Sequence, residues 1–376
     1  MAMPTGASAI TGATMNMALA LSKAGDNYPD ALDLTDATVI KSKLCGLVPT
    51  DNTSQNLPDR NVIGCGGTAG GFATKQGLGF TDTSVTFEGE LKYDTGFPLF
   101  LAQFFGADAA TTEITAGEGD FTHLFTKDLL ENERYLTYVE QKDSQNILEY
   151  FGGFVESLSY QTDTIDQSPM TFTAVVRFSG CRVTGDAGTV NTLAGLQAVT
   201  NDSEDAVFAQ CSDMLEIKFE DGSNSGGAYV LNDLDNIRGY VVNFNKTLNL
   251  IPEMTGADSS GAPVVEGSIE GDLTINYASD FDIGDVDIAN WKDGDTYKVR
   301  ISHTGLQIGA GSNKRFVSRF PVVEFSQIPG VDKSVEGVRP KVINFNLRAS
   351  EAVVDGHVSL APEIEMTNIQ AGSYIQ

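Results

Sequence analysis

The side chains able to do chemistry in this chain are few and scattered. Three histidines, His123, His303 and His357, stand singly on strand-like or turn-like stretches, without a catalytic serine or cysteine pattern around them. General acid–base work needs a positioned partner for the imidazole, and the sequence offers none nearby. Four carboxylates alternate along two similar stretches, Glu88 and Glu90, then Glu270 and Asp272. Paired carboxylates are the machinery of glycoside hydrolysis. Even placement on one face of two matching strands describes a repeated charged surface instead. The densest acidic run is Asp280, Asp282, Asp285 and Asp287, with Asp293 and Asp295 behind it. Calcium takes such oxygen ligands, but the D-x-[DN]-x-[DN]-G order of an EF-hand loop is missing, so a solvated acidic turn is expected. Cys45, Cys65, Cys181 and Cys211 have no CxxC spacing and no histidine close by, which argues against zinc. Reduced thiols are expected. No GxSxG, HExxH, GxxxxGK[ST] or helix-opening GxGxxG occurs. The expectation is a protein without catalytic activity, metal or cofactor.

The carboxylates must be positioned by the strands that carry them. In Val85 to Tyr93, Val85, Phe87, Gly89, Leu91 and Tyr93 alternate with Thr86, Glu88, Glu90 and Lys92. A period of two gives one apolar and one polar face. Gly96 breaks the strand, Pro98 suits a first helical turn, and Phe97, Phe100, Leu101, Phe104 and Phe105 follow at helical spacing. Gly106 is placed to cap that helix. A second stretch, Gly267 to Tyr277, repeats the strand: Phe87-Glu88-Gly89-Glu90-Leu91 matches Ile269-Glu270-Gly271-Asp272-Leu273 position by position. Later strands recur at similar distances. Tyr135, Thr137 and Val139 answer to Tyr297, Val299 and Ile301; Phe172, Ala174, Val176 and Phe178 answer to Ile343, Phe345 and Leu347. Two related β-rich units in tandem are the reading.

Composition agrees with strands. The chain has 376 residues, 41% of them apolar, which allows real cores and more than one domain. Glycine is plentiful at 39 residues, as turns between strands require. Lys and Arg total 24 against 51 Asp and Glu, a net charge of −27. Such a surface does not grip nucleic acid through phosphates or dock on an anionic membrane. No apolar run is long enough to span a bilayer and no basic signal opens the chain, so a soluble protein made in the cytoplasm is expected.

Taken in order, residues 1–34 read as a flexible arm with one weak helical possibility at Ala13 to Lys23. Residues 35–184 form the first unit, with a long Gly-rich loop over 49–82. Residues 185–205 are polar and read as a linker, and 206–376 form the second unit, with Trp291 in a weakly helical acidic stretch.

The order of features resembles the tail tube proteins of long-tailed bacteriophages, of the two-unit type. The residues that carry it are GFPLFLAQFFG after the acidic-faced strand, then FTHLF, YLTYVEQKD, FGGFVESLSYQ, TFTAVVRFSG and the closing VINFNLRASEAVVDGHVSLAPEIEMTN. The resemblance covers about Lys41 to Asn368. It implies a mainly β fold, in which two β-sandwich or barrel units each carry a flanking helix and their sheets join laterally into a ring. Rings would stack into a hollow tube through which viral DNA passes without specific binding. It further implies a trimer with pseudo-sixfold symmetry (a hexamer being the other option), with tape measure, tail-terminator and distal tail proteins as partners. The location would be the virion tail, assembled in the host cytoplasm. Glu88, Glu90, Lys92, Glu270 and Asp272 would face the lumen. A secreted or surface-layer β-sandwich binding protein is the alternative, and a carboxylate-based hydrolase a more distant one.

Overall fold

The computed structural model describes residues 16–23, 25–55, 59–60, 75–76, 81–93, 96–110, 113–127, 134–163, 169–200, 215–221, 232–233, 237–252, 261–277, 294, 296–326, 330–331, 341–349, 352–354 and 357–375. Its first half contains β1 (Met17–Leu21), β2 (Ile40–Lys43), β3 (Leu47–Asp51), β4 (Thr81–Glu90), α1 (Phe97–Phe105), β5 (Gly106–Ala110), β6 (Phe121–Lys127), β7 (Leu136–Gln141), β8 (Ile147–Asp163), β9 (Thr171–Phe178), β10 (Gly180–Val183) and α2 (Leu193–Ala198). The second half contains β11 (Leu215–Asp221), β12 (Asn232–Asp233), β13 (Ile237–Pro252), β14 (Gly261–Tyr277), β15 (Thr296–Gln307), β16 (Asn313–Phe325), β17 (Lys341–Arg348) and β18 (Glu363–Asn368). Short two- and three-residue strands complete a mainly β molecule.

Strand pairing repeats between the halves, and every pairing among the described residues is antiparallel. β1 pairs with β2 and β7, as β11 pairs with β12 and β15. β7 pairs with β8, as β15 with β16. β8 also takes β9 and β10, as β16 takes β17 and β18. β4 lies between β3 and β9, as β14 lies between β13 and β17. The matched glycines fall at equivalent places. A Cβ on Gly89 would come within 2.4 Å of the Leu47 side chain, and one on Gly271 within 2.9 Å of Leu347 and 3.1 Å of Phe244. Each glycine thus lets a neighbouring strand's apolar side chain close over it.

The halves are joined edge to edge. Ser157 to Asp163 of β8 pair with Asn245 to Gly239 of β13, so one sheet runs β3–β4–β9–β8–β13–β14–β17–β16. A second tie comes from the hairpin of β5 and β6, whose outer strand pairs with β18 along Phe121 to Phe125. The loop inside that hairpin clasps the turn between β15 and β16: Glu118 Oε2 accepts the Ala310 N–H at 2.8 Å and Asp120 Oδ2 accepts the Ser312 N–H at 2.7 Å.

α1 lies beneath this sheet with all nine of its residues buried. Pro98 opens it, and Gly106, at φ 85°, ends it by donating its N–H to the Ala102 carbonyl. Phe97 meets Phe172 with ring centroids 4.8 Å apart, Phe100 meets Phe87 at 5.1 Å, and Phe105 meets Phe244 at 5.5 Å. The helix therefore serves both halves, and one apolar core contains residues of each. Gln103, the lone polar side chain of α1, is satisfied on both ends, donating to the Arg134 carbonyl at 3.0 Å and accepting the Val155 N–H at 2.8 Å.

Three expectations need correction. The N-terminal arm is not free over residues 16–34. Met17–Leu21 is a strand between β2 and β7, its residues 0 to 7% exposed, and no helix forms at the described end of Ala13 to Lys23. Both of its faces are covered: Leu19 and Leu21 enter the main core, while Ala18 and Ala20 enter a smaller one with Leu32, Leu34, Val139 and Leu196. Nor is residue 185 onward a plain polar linker. Leu196 and Val199 are buried in the smaller core, and the buried Asn191 accepts the Leu34 N–H and donates to the Leu32 carbonyl and to Glu149. Of the loop expected over 49–82, Pro49 to Asp51 belong to β3 and Asp82 to β4; Cys65 and most of the rest fall outside the described residues. The acidic run from Asp280, Trp291 and Cys211 also lie outside them, so the second flanking helix is not described.

Candidate functional face

The joined sheet has one face in the core and one turned away from it. On the core side Phe87, Ala174, Leu158, Tyr160, Tyr240, Val242, Phe244, Leu273, Ile275 and Phe345 are buried. Alternation forces their sequence neighbours to the opposite face. Because the strands pair in register, those neighbours line up in rows across both halves. One row reads Val48, Glu88, Thr173, Ser159, Asn243, Asp272, Asn346 and Glu324. A flanking row reads Glu90, Thr171, Gln161, Val241, Thr274 and Asn344. The third runs Thr86, Val175, Ser157, Asn245 and Glu270.

This face is polar, carries carboxylates, and holds few cations. Glu88 and Glu270 are exposed, Glu90 and Asp272 half-buried. Asn243 donates to Asp272 Oδ1 at 2.8 Å and the Thr274 hydroxyl to Asn344 Oδ1 at 2.8 Å, so the rows are partly knitted by side chains. Lys92 follows the end of β4, half-buried, with its ammonium group near Gly46. Arginines stand at the margins beside carboxylates: Arg177 lies 3.0 Å from Glu156, and Arg348 lies 2.9 Å from Glu324. The sequence therefore places all four carboxylates on one face, and the structure brings the two pairs onto one sheet. It does not bring them together. Glu88 and Asp272, in one row, sit four strand spacings apart, roughly 19 Å, too far to act as acid and base on one bond.

His123 and His303 are buried in different settings. His123 lies on β6 and His303 on β15, strands that hold different places in the repeated pairing, so they are not counterparts. His303 Nε2 faces the Tyr240 hydroxyl at 2.7 Å, and burial pushes its imidazolium down to about 3. His123 Nδ1 faces Asp108 Oδ2 at 3.0 Å, and its Nε2 faces the Gln370 carbonyl at 3.0 Å. The same Asp108 oxygen accepts from the Ser373 hydroxyl at 3.2 Å and the Tyr374 N–H at 2.6 Å. Serine, histidine and aspartate thus meet, but in the wrong order for nucleophilic catalysis. The hydroxyl bonds the carboxylate, the distal ring nitrogen is taken by a carbonyl, and His123 and Asp108 are fully enclosed. The cluster fastens the C-terminal segment to the β5–β6 hairpin. Nothing in the sequence spacing, 15 residues from Asp108 to His123 and 247 from His123 to Gln370, announces it.

Among the described residues no group of three or more His, Cys, Asp or Glu side chains is arranged to hold a metal ion. Among the described residues neither Cys45 nor Cys181 is in a disulfide. No helix of the described residues is long and apolar enough to cross a membrane. No protein-family model matches the chain, and no curated protein matches it.

Proposed function

We propose that this chain is a virion structural subunit that assembles with itself into stacked rings, forming a hollow tail tube through which viral DNA passes. The observation that carries this reading is the repeated pairing of strands in two halves joined edge to edge into one sheet with a polar, carboxylate-bearing face. Two similar halves per chain let three chains close a ring of six nearly equivalent positions. Closure satisfies the edge strands that a lone sheet leaves exposed. With the apolar face turned to α1 and the outer layer, the face of Glu88, Glu90, Glu270 and Asp272 is free to line a channel. Carboxylates there repel phosphates, so DNA moves along the wall without adhering. The partners in this reading are a tape measure protein and tail-terminator and distal tail proteins, and the location is the virion tail, assembled in the host cytoplasm.

Negative-stain electron microscopy of the purified, concentrated protein tests the reading. Hollow tubes or stacked rings are expected; protein that stays as single chains at every concentration and salt condition would overturn it.

A further inference from the structure

β8 belongs to two layers of the first half. Its residues 147–153 pair with β7, and 148–151 also with β10, while from Phe154 onward it pairs with β9 in the joined sheet that reaches β3. The tip of β3 and the end of β7 therefore come from different layers, and each carries a carboxylate. Asp51, the last residue of β3, is exposed; Glu140, near the end of β7, is half-buried. Tyr150 on β8 donates its hydroxyl to Asp51 Oδ2 at 3.1 Å, and Tyr138 on β7 donates to Glu140 Oε2 at 2.7 Å. The two phenol rings are stacked with centroids 5.4 Å apart, which brings the carboxylates they hold near each other. Along its backbone β3 is held by β4, and the Asp51 side chain adds a tie to the other layer.

We propose that Asp51 and Glu140 form a proton-operated catch between the two layers of the first half. With both ionised, the carboxylates repel and loosen the tip of β3. A proton on Glu140 removes that repulsion and lets the Tyr150–Asp51 bond hold β3 against β8. Burial, with the Asp51 charge close by, holds the Glu140 carboxyl above its ordinary value, against the Tyr138 hydroxyl, which favours the charged form. The closed form therefore binds the Glu140 proton more tightly than the open one, and closing gains as pH falls through the window between the raised and the ordinary value. This is the reverse of His303, whose burial makes acid destabilising. The other groups around the pair do not titrate in that window. Burial raises the Tyr138 and Tyr150 phenols and the thiol of Cys181, which stands opposite Tyr150 on β10, so all three stay neutral. β1 presents Met17 opposite Glu140. Lys142, exposed just past β7, is the cation whose charge reaches Cys181, and Asp143 beyond it accepts the Gln145 and Asn146 N–H groups of its own turn. The catch lies within one chain and does not depend on assembly.

Hydrogen exchange of the full-length protein, read by mass spectrometry at about pH 7.5 and about pH 5 and corrected for the intrinsic rate, tests it. Protection over residues 47–52 should rise about threefold or more at the lower pH, with residues 271–277 of β14 as the reference. Glu140→Gln keeps an acceptor for Tyr138 but carries no charge, so it should show the low-pH level of protection at both pH values. Asp51→Asn keeps an acceptor for Tyr150 and should flatten the response in the same way. Tyr150→Phe should lower protection at both pH values. Equal protection of 47–52 at the two pH values in the wild type, or a wild-type response that survives Glu140→Gln, would overturn the catch. If thermal unfolding shows that Glu140→Gln does not fold, Asp51→Asn gives the same readout, because it removes the other charge.

Discussion

Lys246 is the most unusual single residue. It is buried at the junction of the halves, donates to the Phe104 carbonyl near the end of α1 at 2.9 Å, and lies 4.9 Å from the Phe104 ring centroid. Burial, with Lys127 nearby, pushes its ammonium down to about 7. The unfolded chain then binds more protons than the native one between pH 7 and the ordinary lysine range, so stability rises with pH across that window. Measured by chemical denaturation, wild type should gain on the order of 4 kcal/mol relative to Lys246→Met between pH 7 and 10.5. A constant difference would contradict this. The same sign holds at lower pH for His303. With its folded value at about 3, the native state binds fewer protons than the unfolded chain up to pH 6.5. Stability should therefore fall as pH drops from 6.5 toward 3, less steeply in His303→Phe. The matched glycines give a third expectation. Gly89→Val forces a Cβ to within 2.4 Å of Leu47 and 2.8 Å of the Gly46 carbonyl, against 2.9 Å at the tightest for Gly271→Val. Each should cost ~1–3 kcal/mol, Gly89 the more.

At the scale of elements, some of the fold was legible and some was not, for physical reasons. α1 announced itself because Pro98, the phenylalanine spacing and Gly106 are local signals, and all of them hold in the helix observed. The strands of Val85 to Glu90 and Leu273 to Asn276 were legible because each has one wet face. Met17–Leu21 was not, because MALAL is covered on both faces, and a doubly buried strand shows no alternation. α2 and Asn191 were missed because the segment is polar by composition and is held by hydrogen bonds to Leu32, Leu34 and Glu149 far away in sequence. Of the candidate site, the carboxylates could be read and their distance from one another could not, since that depends on β8 meeting β13. Two tests follow at this scale. Removing residues 1–21 takes β1 from between β2 and β7 and should abolish cooperative folding, seen by calorimetry. Asp108→Ala removes the acceptor shared by His123, Ser373 and Tyr374. It should cost ~1.5–3 kcal/mol and expose residues 369–375 to carboxypeptidase; unchanged digestion would mean the latch holds nothing.

Across the whole molecule, the two halves are built alike, share one core through α1, and differ at their edges. In the second half the edges of β13 and β18 are filled by β8 and β6 of the first, while β3 has a neighbour on one side only among the described residues. The proposed assembly adds such chains to one another. Net charge of −27 bears on the same step, since like-charged chains repel at low ionic strength. Assembly should therefore speed up as salt rises from about 10 mM to 150 mM, the opposite of a charge-paired interface, and stopped-flow scattering would record it. The most direct test of the account is a reconstruction of the assembled tube by electron cryomicroscopy. It should show three chains in each ring, six similar units around the bore, and Glu88, Glu90, Glu270 and Asp272 on the inner wall. Six whole chains per ring, or those carboxylates packed against an outer layer, would contradict it.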